Sequence, residues 1–288
     1  MKFSMYARFS EILRQEGAEA AARRAVELGF TSVEPLDYYL EGKEPLIGSE
    51  EEARRLHDAL SRHGLTTACY SVGINLWRAG MTPDTVTPAE EALLHHARMA
   101  AALGSPFLHH TFLIGVPPHV LTMDEVLTLL APVAIRVAKY AHSLGLTCIY
   151  EGQGMYVNGV EGFGAFLAAV KRECPYVGVC GDIGNPLFVD EDPLLFFRAF
   201  APEIRHVHLK DYLTVDAHEE KETPWTTRGG TLLRETVIGK GIIDYPACLS
   251  VLREVGYEGV FSLENNHPED YETGVAEGMR LVRELLPA

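Results

Sequence analysis

Three observations predict a (β/α)8 barrel that occupies residues 1–288 as a single domain. The chain has 288 residues, near the roughly 250 typical of such a barrel. Strand-length apolar runs alternate with longer helix-like stretches eight times, which favours a parallel sheet closed on itself over an open doubly wound one. Several of those runs end in a carboxylate or an imidazole, and in a barrel the C-terminal strand ends share one rim.

The elements follow in order. A short strand at Phe3–Arg8 precedes a helix at Ala18–Leu28, which Gly29 can cap in the left-handed conformation. Thr31–Leu36 reads as the second strand, with Glu34 near its end. Ser49 followed by Glu50, Glu51 and Glu52 is an N-cap with an acidic first turn, so a helix runs to His63 and stops at Gly64. Leu65–Asn75 is the third strand. Thr87-Pro88-Ala89-Glu90 puts proline at the first helical position of a segment ending at Gly104. Pro106–Leu113 is the fourth strand, and Thr122 caps a helix to Gly145. Leu146–Glu151 and Tyr176–Asp182 are the fifth and sixth strands, with helices at Gly159–Glu173 and Asp192–Phe200. Ile204–Asp211, the seventh, precedes a helix at Tyr245–Val255, and Val260–Asn265, the eighth, precedes a closing helix at Tyr271–Leu286. The connection 212–241 is too long for an ordinary loop, so it is expected to act as a lid or part of a site. Within it Trp225 and Arg228-Gly229-Gly230 either cover a ligand or pack.

Composition narrows the function. Hydrophobic residues make up 47% of the chain, with 2 Trp, 12 Tyr and 12 Phe, enough for a large core. The net charge of −15 opposes binding to nucleic acid. No run approaches a membrane span or a signal peptide, so a cytoplasmic protein without membrane partners is expected. The five cysteines show no CxxC spacing and are expected to be buried core residues.

The strand ends carry the chemistry. In His206-Val207-His208-Leu209-Lys210-Asp211 the period of two puts His206, His208 and Lys210 on one face. The fifth strand ends in Glu151, the sixth in Asp182 and the eighth in Glu264. From Glu151 to Asp182 is 31 positions and from Asp182 to His208 is 26, about one βα unit each, so these ligand types come from neighbouring strands. Three carboxylates and one imidazole form a hard, oxygen-rich set suited to Mn2+ or Mg2+, with Co2+ or Zn2+ as alternatives. Any one of them alone could instead be a helix cap, half of an ion pair or a satisfied core residue.

Gly239-Lys240-Gly241-Ile242-Ile243-Asp244-Tyr245, Gly256-Tyr257-Glu258-Gly259, Ser262-Leu263-Glu264, Asp182-Ile183-Gly184-Asn185 and the His206–Asp211 stretch resemble motifs of the xylose-isomerase-like TIM barrels called sugar phosphate isomerases/epimerases. The likeness covers essentially the whole chain and is specific from Glu151 onward. It is similar to the ketose 3-epimerases of that group, where the positions matching Glu151, Asp182, His208 and Glu264 bind one divalent metal, commonly Mn2+, and the two glutamates move protons. The resemblance therefore implies a metal-dependent isomerase or epimerase of a keto sugar or related polyol derivative. It would act through an enediolate, with Glu151 and Glu264 as the acid/base pair. Expected substrate contacts are His110, Asn185, Lys210, Glu34, Trp77 and Arg228, whereas His109, His206, His95 and His96 are expected to be structural. Asn185 replaces the histidine that those epimerases usually carry there, so contacts at that point differ. Relatives are often dimers or tetramers, which makes a homo-oligomer an open expectation.

Two other enzyme readings share the fold. Barrel endonucleases that cut abasic DNA use several zinc ions and more histidines; Asn185 and Leu233-Arg234-Glu235 replace expected ligands here, and the charge opposes DNA. A sugar or inosose dehydratase needs the same metal and acid/base pair, since proton abstraction beside a carbonyl precedes loss of water. A non-catalytic sugar-binding barrel is the remaining alternative.

Overall fold

In the computed structural model, the described residues are 1–113, 116–117, 119–216, 224–264 and 271–287. The chain opens with β1 (Lys2–Met5), α1 (Ala7–Glu16) and α2 (Ala18–Glu27), then β2 (Ser32–Val33), β3 (Leu36–Tyr38) and α3 (Glu50–Arg62). Next come β4 (Thr66–Thr67), β5 (Tyr70–Gly73), α4 (Pro88–Ala102), β6 (Phe107–His110), α5 (Met123–Ser143) and β7 (Thr147–Glu151). The second half holds α6 (Gly164–Lys171), β8 (Gly178–Asp182), α7 (Pro193–Phe200), β9 (Ile204–Leu209), β10 (Asp211–Thr214), β11 (Trp225–Thr226), β12 (Leu232–Thr236), α8 (Tyr245–Glu254), β13 (Val260–Leu263) and α9 (Tyr271–Leu285).

Parallel pairing runs β3, β5, β6, β7, β8, β9, β13, β1, β2, β4. Because β2 pairs β4 while β3 pairs β5, both ends of that order belong to the same two staves, and the sheet closes into a barrel. The second stave is split at Glu34-Pro35, where proline lacks the N–H a ladder needs. The third is split at Ala68-Cys69. The expected fold class holds, and strand and helix positions agree to within a few residues from α3 onward.

The helices start where the sequence marks them. Ser49, Thr87 and Thr122 each accept a hydrogen bond from the backbone three residues on, and Thr122 with Glu125 forms a full capping box. Helix α1 is a correction, since the sequence reading carried the first strand to Arg8 and saw no helix before Ala18. Its Phe9 and Ile12 are buried with helical spacing, but Tyr6 at its N-cap makes no side-chain cap bond, so the usual start signal is missing. The long connection is also more ordered than a loop: β10, β12 and β11 form an antiparallel sheet of their own. The expected strand end at Asn265 lies outside the described residues. Among the described residues no helix is long and apolar enough to cross a membrane.

Register sets which side chains look inward. Asp182 stands beside His208, and His208 beside Ser262, while Glu151 stands beside Cys180 and Cys180 beside His206. These inward positions form polar layers at the C-terminal half of the barrel. Among them Cys180, with Cys69 and Ile149 and with Phe107 against them, makes a small apolar cluster. The main apolar core lies mostly between sheet and helices, where Tyr150, Phe166 and Phe112 meet edge to face or tilted.

Candidate active site

Strand ends β7, β8, β9 and β13 bring Glu151, Asp182, His208 and Glu264 together. Asp182, His208 and Glu264 each offer a ligand atom within 4.8 Å of the others. Glu151 Oε1 lies 3.1 Å from His208 Nδ1, and Asp182 Oδ2 lies 3.9 Å from the same nitrogen. Asp182 divides its two oxygens. Oδ1 accepts from the backbone N–H of Gly184 at 2.8 Å and of Asn185 at 2.6 Å, turning the chain after β8, and this leaves Oδ2 to face the cluster.

Lys210 is buried at the centre of the acidic group. Its Nζ is 3.0 Å from Asp182 Oδ2, 2.7 Å from Glu264 Oε2 and 3.2 Å from Asn185 Oδ1. The lysine stem runs across Gly184, where a Cβ would come within 2.5 Å of Lys210 Cγ and 2.8 Å of the Tyr212 ring, so only glycine admits both neighbours. Asn185 presents Nδ2 as a buried donor without a hydrogen-bond partner among the described residues.

The charges are strongly coupled. Burial alone would raise Glu151, but hydrogen bonds with His109 and His208 outweigh it and hold the carboxyl well below its usual range. Burial pushes Asp182 well above its usual value, aided by Glu151 and Glu264 and opposed by Lys210. Burial disfavours the Lys210 ammonium, yet Asp182 and Glu264 carry its pKa well above normal. Burial likewise opposes protonation of His208, while Cys180, Glu34 and Glu151 raise it. The site is therefore a low-dielectric acidic pocket held by internal cations, and its donor set of three carboxylates and an imidazole fits a hard divalent ion.

The expected substrate contacts separate into groups. Lys210 and Asn185 face the cluster. Glu34 lies beneath it, with no exposed surface and partners on all sides. His110 is a correction: it faces away from the barrel interior, packing against Phe112 at 4.8 Å and Tyr150 at 5.4 Å. Its neighbour His109 points inward instead, with Nε2 3.4 Å from Glu151 Oε2 and Nδ1 3.1 Å from Ser71 Oγ. The reason is register, since His109 stands beside Ile149, which shares the inward face with Glu151. Trp77 is half-buried against the main core. Arg228 is exposed, and its guanidinium donates to the Met155 carbonyl, linking the long connection to the loop after β7. His206, expected to be structural, is buried and bonded to Glu34. His96 is also buried, with Nδ1 3.2 Å from the Tyr70 hydroxyl.

Tyr6 escaped the sequence reading. Its ring lies 4.7 Å from the His208 ring, at the C-terminal end of β1. The strand-end rule misses it because the sequence carries the first strand to Arg8, three residues past the end of β1 at Met5.

The geometry is that of a barrel with a polar rim, and a model of the family described as xylose isomerase-like TIM barrel matches residues 22–285. The chain belongs to the xylose isomerase-like TIM barrel family. Curated relatives include an inosose dehydratase of Bacillus anthracis, 34% identical over 92 residues; that stretch covers 31% of this chain and 30% of the relative. Among solved structures, D-allulose 3-epimerase from Methylomonas sp. in complex with D-allulose aligns with a TM-score of 0.72 at 16% identity, covering 99% of this chain and 97% of that one. A xylose isomerase-like TIM barrel protein from Mycobacterium smegmatis in complex with magnesium aligns with a TM-score of 0.72 at 17% identity, covering 99% and 96%. At those identities the likeness speaks for the fold.

Proposed function

We propose that this xylose isomerase-like barrel is a divalent-metal-dependent isomerase or epimerase of a keto sugar or related polyol derivative. The observation that carries the reading is the convergence of Glu151, Asp182, His208 and Glu264 at one rim, from four adjacent staves. These four residues would hold the ion. Mn2+ is the first choice for such donors, with Mg2+, Co2+ or Zn2+ able to replace it. When bound, the ion supplies Lewis acidity toward a carbonyl and its neighbouring hydroxyl.

The chain's own residues do the rest. Glu151, held ionised by His109 and His208, accepts the proton from the carbon beside the carbonyl. Glu264, entering the step protonated, donates its own proton to the opposite face for epimerisation or to the adjacent carbon for isomerisation; exchange with solvent then removes the proton from Glu151 and restores the one on Glu264. Lys210 and the free donor of Asn185 hold substrate oxygens, and Lys210 adds positive charge where negative charge develops. The five cysteines are free and buried, which suits the reducing cytoplasm.

A dehydratase is the second reading, favoured by the inosose dehydratases among the curated relatives. In that case Lys210, beside Glu264, would protonate a departing hydroxyl. One assay distinguishes the two. The purified chain, stripped of metal and supplied with Mn2+, is incubated with ketoses and inososes in D2O, and the products are analysed by mass spectrometry and NMR. Isomerase or epimerase action incorporates deuterium into a product of unchanged formula, whereas dehydration removes one water. If neither change occurs, or if Glu151→Gln turns over at the wild-type rate, the acid/base reading is wrong.

A further inference from the structure

Glu34 is bonded to four side chains from three other staves, although it sits in the break between β2 and β3, the two halves of one stave, and has no exposed surface. Oε1 accepts from Ser71 Oγ at 2.5 Å and lies 2.9 Å from His208 Nε2. Oε2 accepts from Ser262 Oγ and lies 2.6 Å from His206 Nε2. An ionised carboxylate has acceptor capacity only, so all four neighbours must donate to it. His208 consequently carries a proton on Nε2. Its other nitrogen, Nδ1, faces the opposite way, toward Glu151 Oε1 at 3.1 Å and Asp182 Oδ2 at 3.9 Å.

The contacts close a ring. Glu34 binds Ser71, Ser71 Oγ meets His109 Nδ1, His109 Nε2 meets Glu151 Oε2, Glu151 Oε1 meets His208 Nδ1, and His208 Nε2 returns to Glu34. Such a ring fixes the rotation of the His208 imidazole from beneath and of the Glu151 carboxylate from the side.

We propose that Glu34 is a positioning residue for His208, accepting the hydrogen bond of the Nε2 proton and turning Nδ1 toward Glu151, Asp182 and Glu264, so that Nδ1 is the nitrogen that would bind the ion once it gives up its own proton. This deepens the proposed function and rests on its assignment of His208 as a metal ligand. A carboxylate behind a ligating histidine raises the basicity of the ligand and fixes its tautomer, and its loss typically weakens metal binding by about 10- to 100-fold. A different use of the same atoms is a second ion held by Glu34, His206 and His208, whose ligand atoms also lie within 4.8 Å of one another. The four donors that already fill Glu34 oppose it.

The test uses the full chain. Titration calorimetry with Mn2+ on wild type, Glu34→Gln and His208→Gln gives affinity and stoichiometry. Two-bond 1H–15N spectra of wild type loaded with diamagnetic Zn2+ identify which His208 nitrogen bears the proton. The expected result is one ion per chain, the His208 proton on Nε2 and the metal on Nδ1, and a 10- to 100-fold weaker affinity in Glu34→Gln. Metal on Nε2, two ions per chain, or Mn2+ affinity in Glu34→Gln within twofold of wild type overturns the proposal. If His208→Gln keeps wild-type affinity, the underlying ligand assignment fails instead. Should Glu34→Gln not fold, the wild-type spectrum still decides the tautomer.

Discussion

The Lys210 ammonium stands 2.7 Å from Glu264 Oε2 and 3.0 Å from Asp182 Oδ2, so one buried cation is shared by two residues proposed as metal ligands. A divalent ion and Lys210 would then compete electrostatically for the same carboxylates. Lys210→Met leaves those acids unpaired, and removing one partner of a buried pair costs about 3 to 5 kcal/mol. The metal-free variant should melt on the order of 10 °C below wild type. Added Mn2+ should narrow that gap and bind more tightly to the variant, as calorimetry and thermal denaturation would report. Weaker Mn2+ binding by Lys210→Met would contradict this competition.

The opposite orientations of His109 and His110 yield a paired prediction. His109 touches Glu151, while His110 sits among Phe112 and Tyr150 outside the barrel interior. His109→Gln should lower turnover of the responsive sugar by roughly 10- to 100-fold, the usual scale for a partner of a site residue. His110→Asn, whose amide can still donate to the Thr111 carbonyl as His110 Nδ1 does, should leave turnover within about twofold. Steady-state kinetics on the two variants would expose an inverted assignment at once.

Buried histidines also make stability depend on pH. Burial pushes His96 and His110 down to about 4, below the ordinary value of 6.5. Both therefore stay neutral in the folded chain while the unfolded chain binds protons. Their contribution is fully present above pH 6.5 and is lost as pH falls toward 4, by up to roughly 3 kcal/mol for each histidine. Urea unfolding at pH 7, 6 and 5 should show stability falling with acidity, and His110→Asn should flatten the slope. Equal stability at pH 7 and pH 5 would count against neutral burial.

What could be read from the sequence depended on whether its cause was local. His208 and Lys210 were legible because the alternation in β9 assigns a face by itself, and Glu151, Asp182 and Glu264 because each lies at or just beyond a strand end. The sides taken by His109 and His110 were not, since Phe107 and Leu108 are both apolar and the strand offers no alternation; register with β7 decides. Glu34 could not be placed either, because its partners Ser71, His206, His208 and Ser262 lie 37 to 228 positions away. The sheet of β10, β12 and β11 was hidden for a similar reason, as its strands are short and separated.

The Asp211 carboxylate supplies a physical account of two motifs at once. Oδ2 accepts from the backbone N–H of Gly239 at 3.0 Å and Gly241 at 2.9 Å, and Oδ1 from Tyr212 at 2.9 Å and Ile243 at 3.3 Å. The end of the His206–Asp211 stretch thereby pins the Gly239-Lys240-Gly241 turn against the barrel. A Cβ at Gly241 would lie 2.1 Å from Asp211 Oδ1 and 2.3 Å from the Tyr212 carbonyl, both fixed atoms, so the turn admits no side chain there. Asp211→Ala strands several buried N–H groups and should cost about 3 kcal/mol, and Gly241→Ala should be destabilising through steric displacement of the same contacts. Because Lys210 and Tyr212 flank Asp211, both variants should also loosen the rim. Hydrogen exchange is the sharper measurement: amides 239, 241 and 243 should lose protection in Asp211→Ala while those of β7 and β8 keep theirs. Uniform loss across the barrel, or retained protection at 239–243, would show that Asp211 does not anchor this turn.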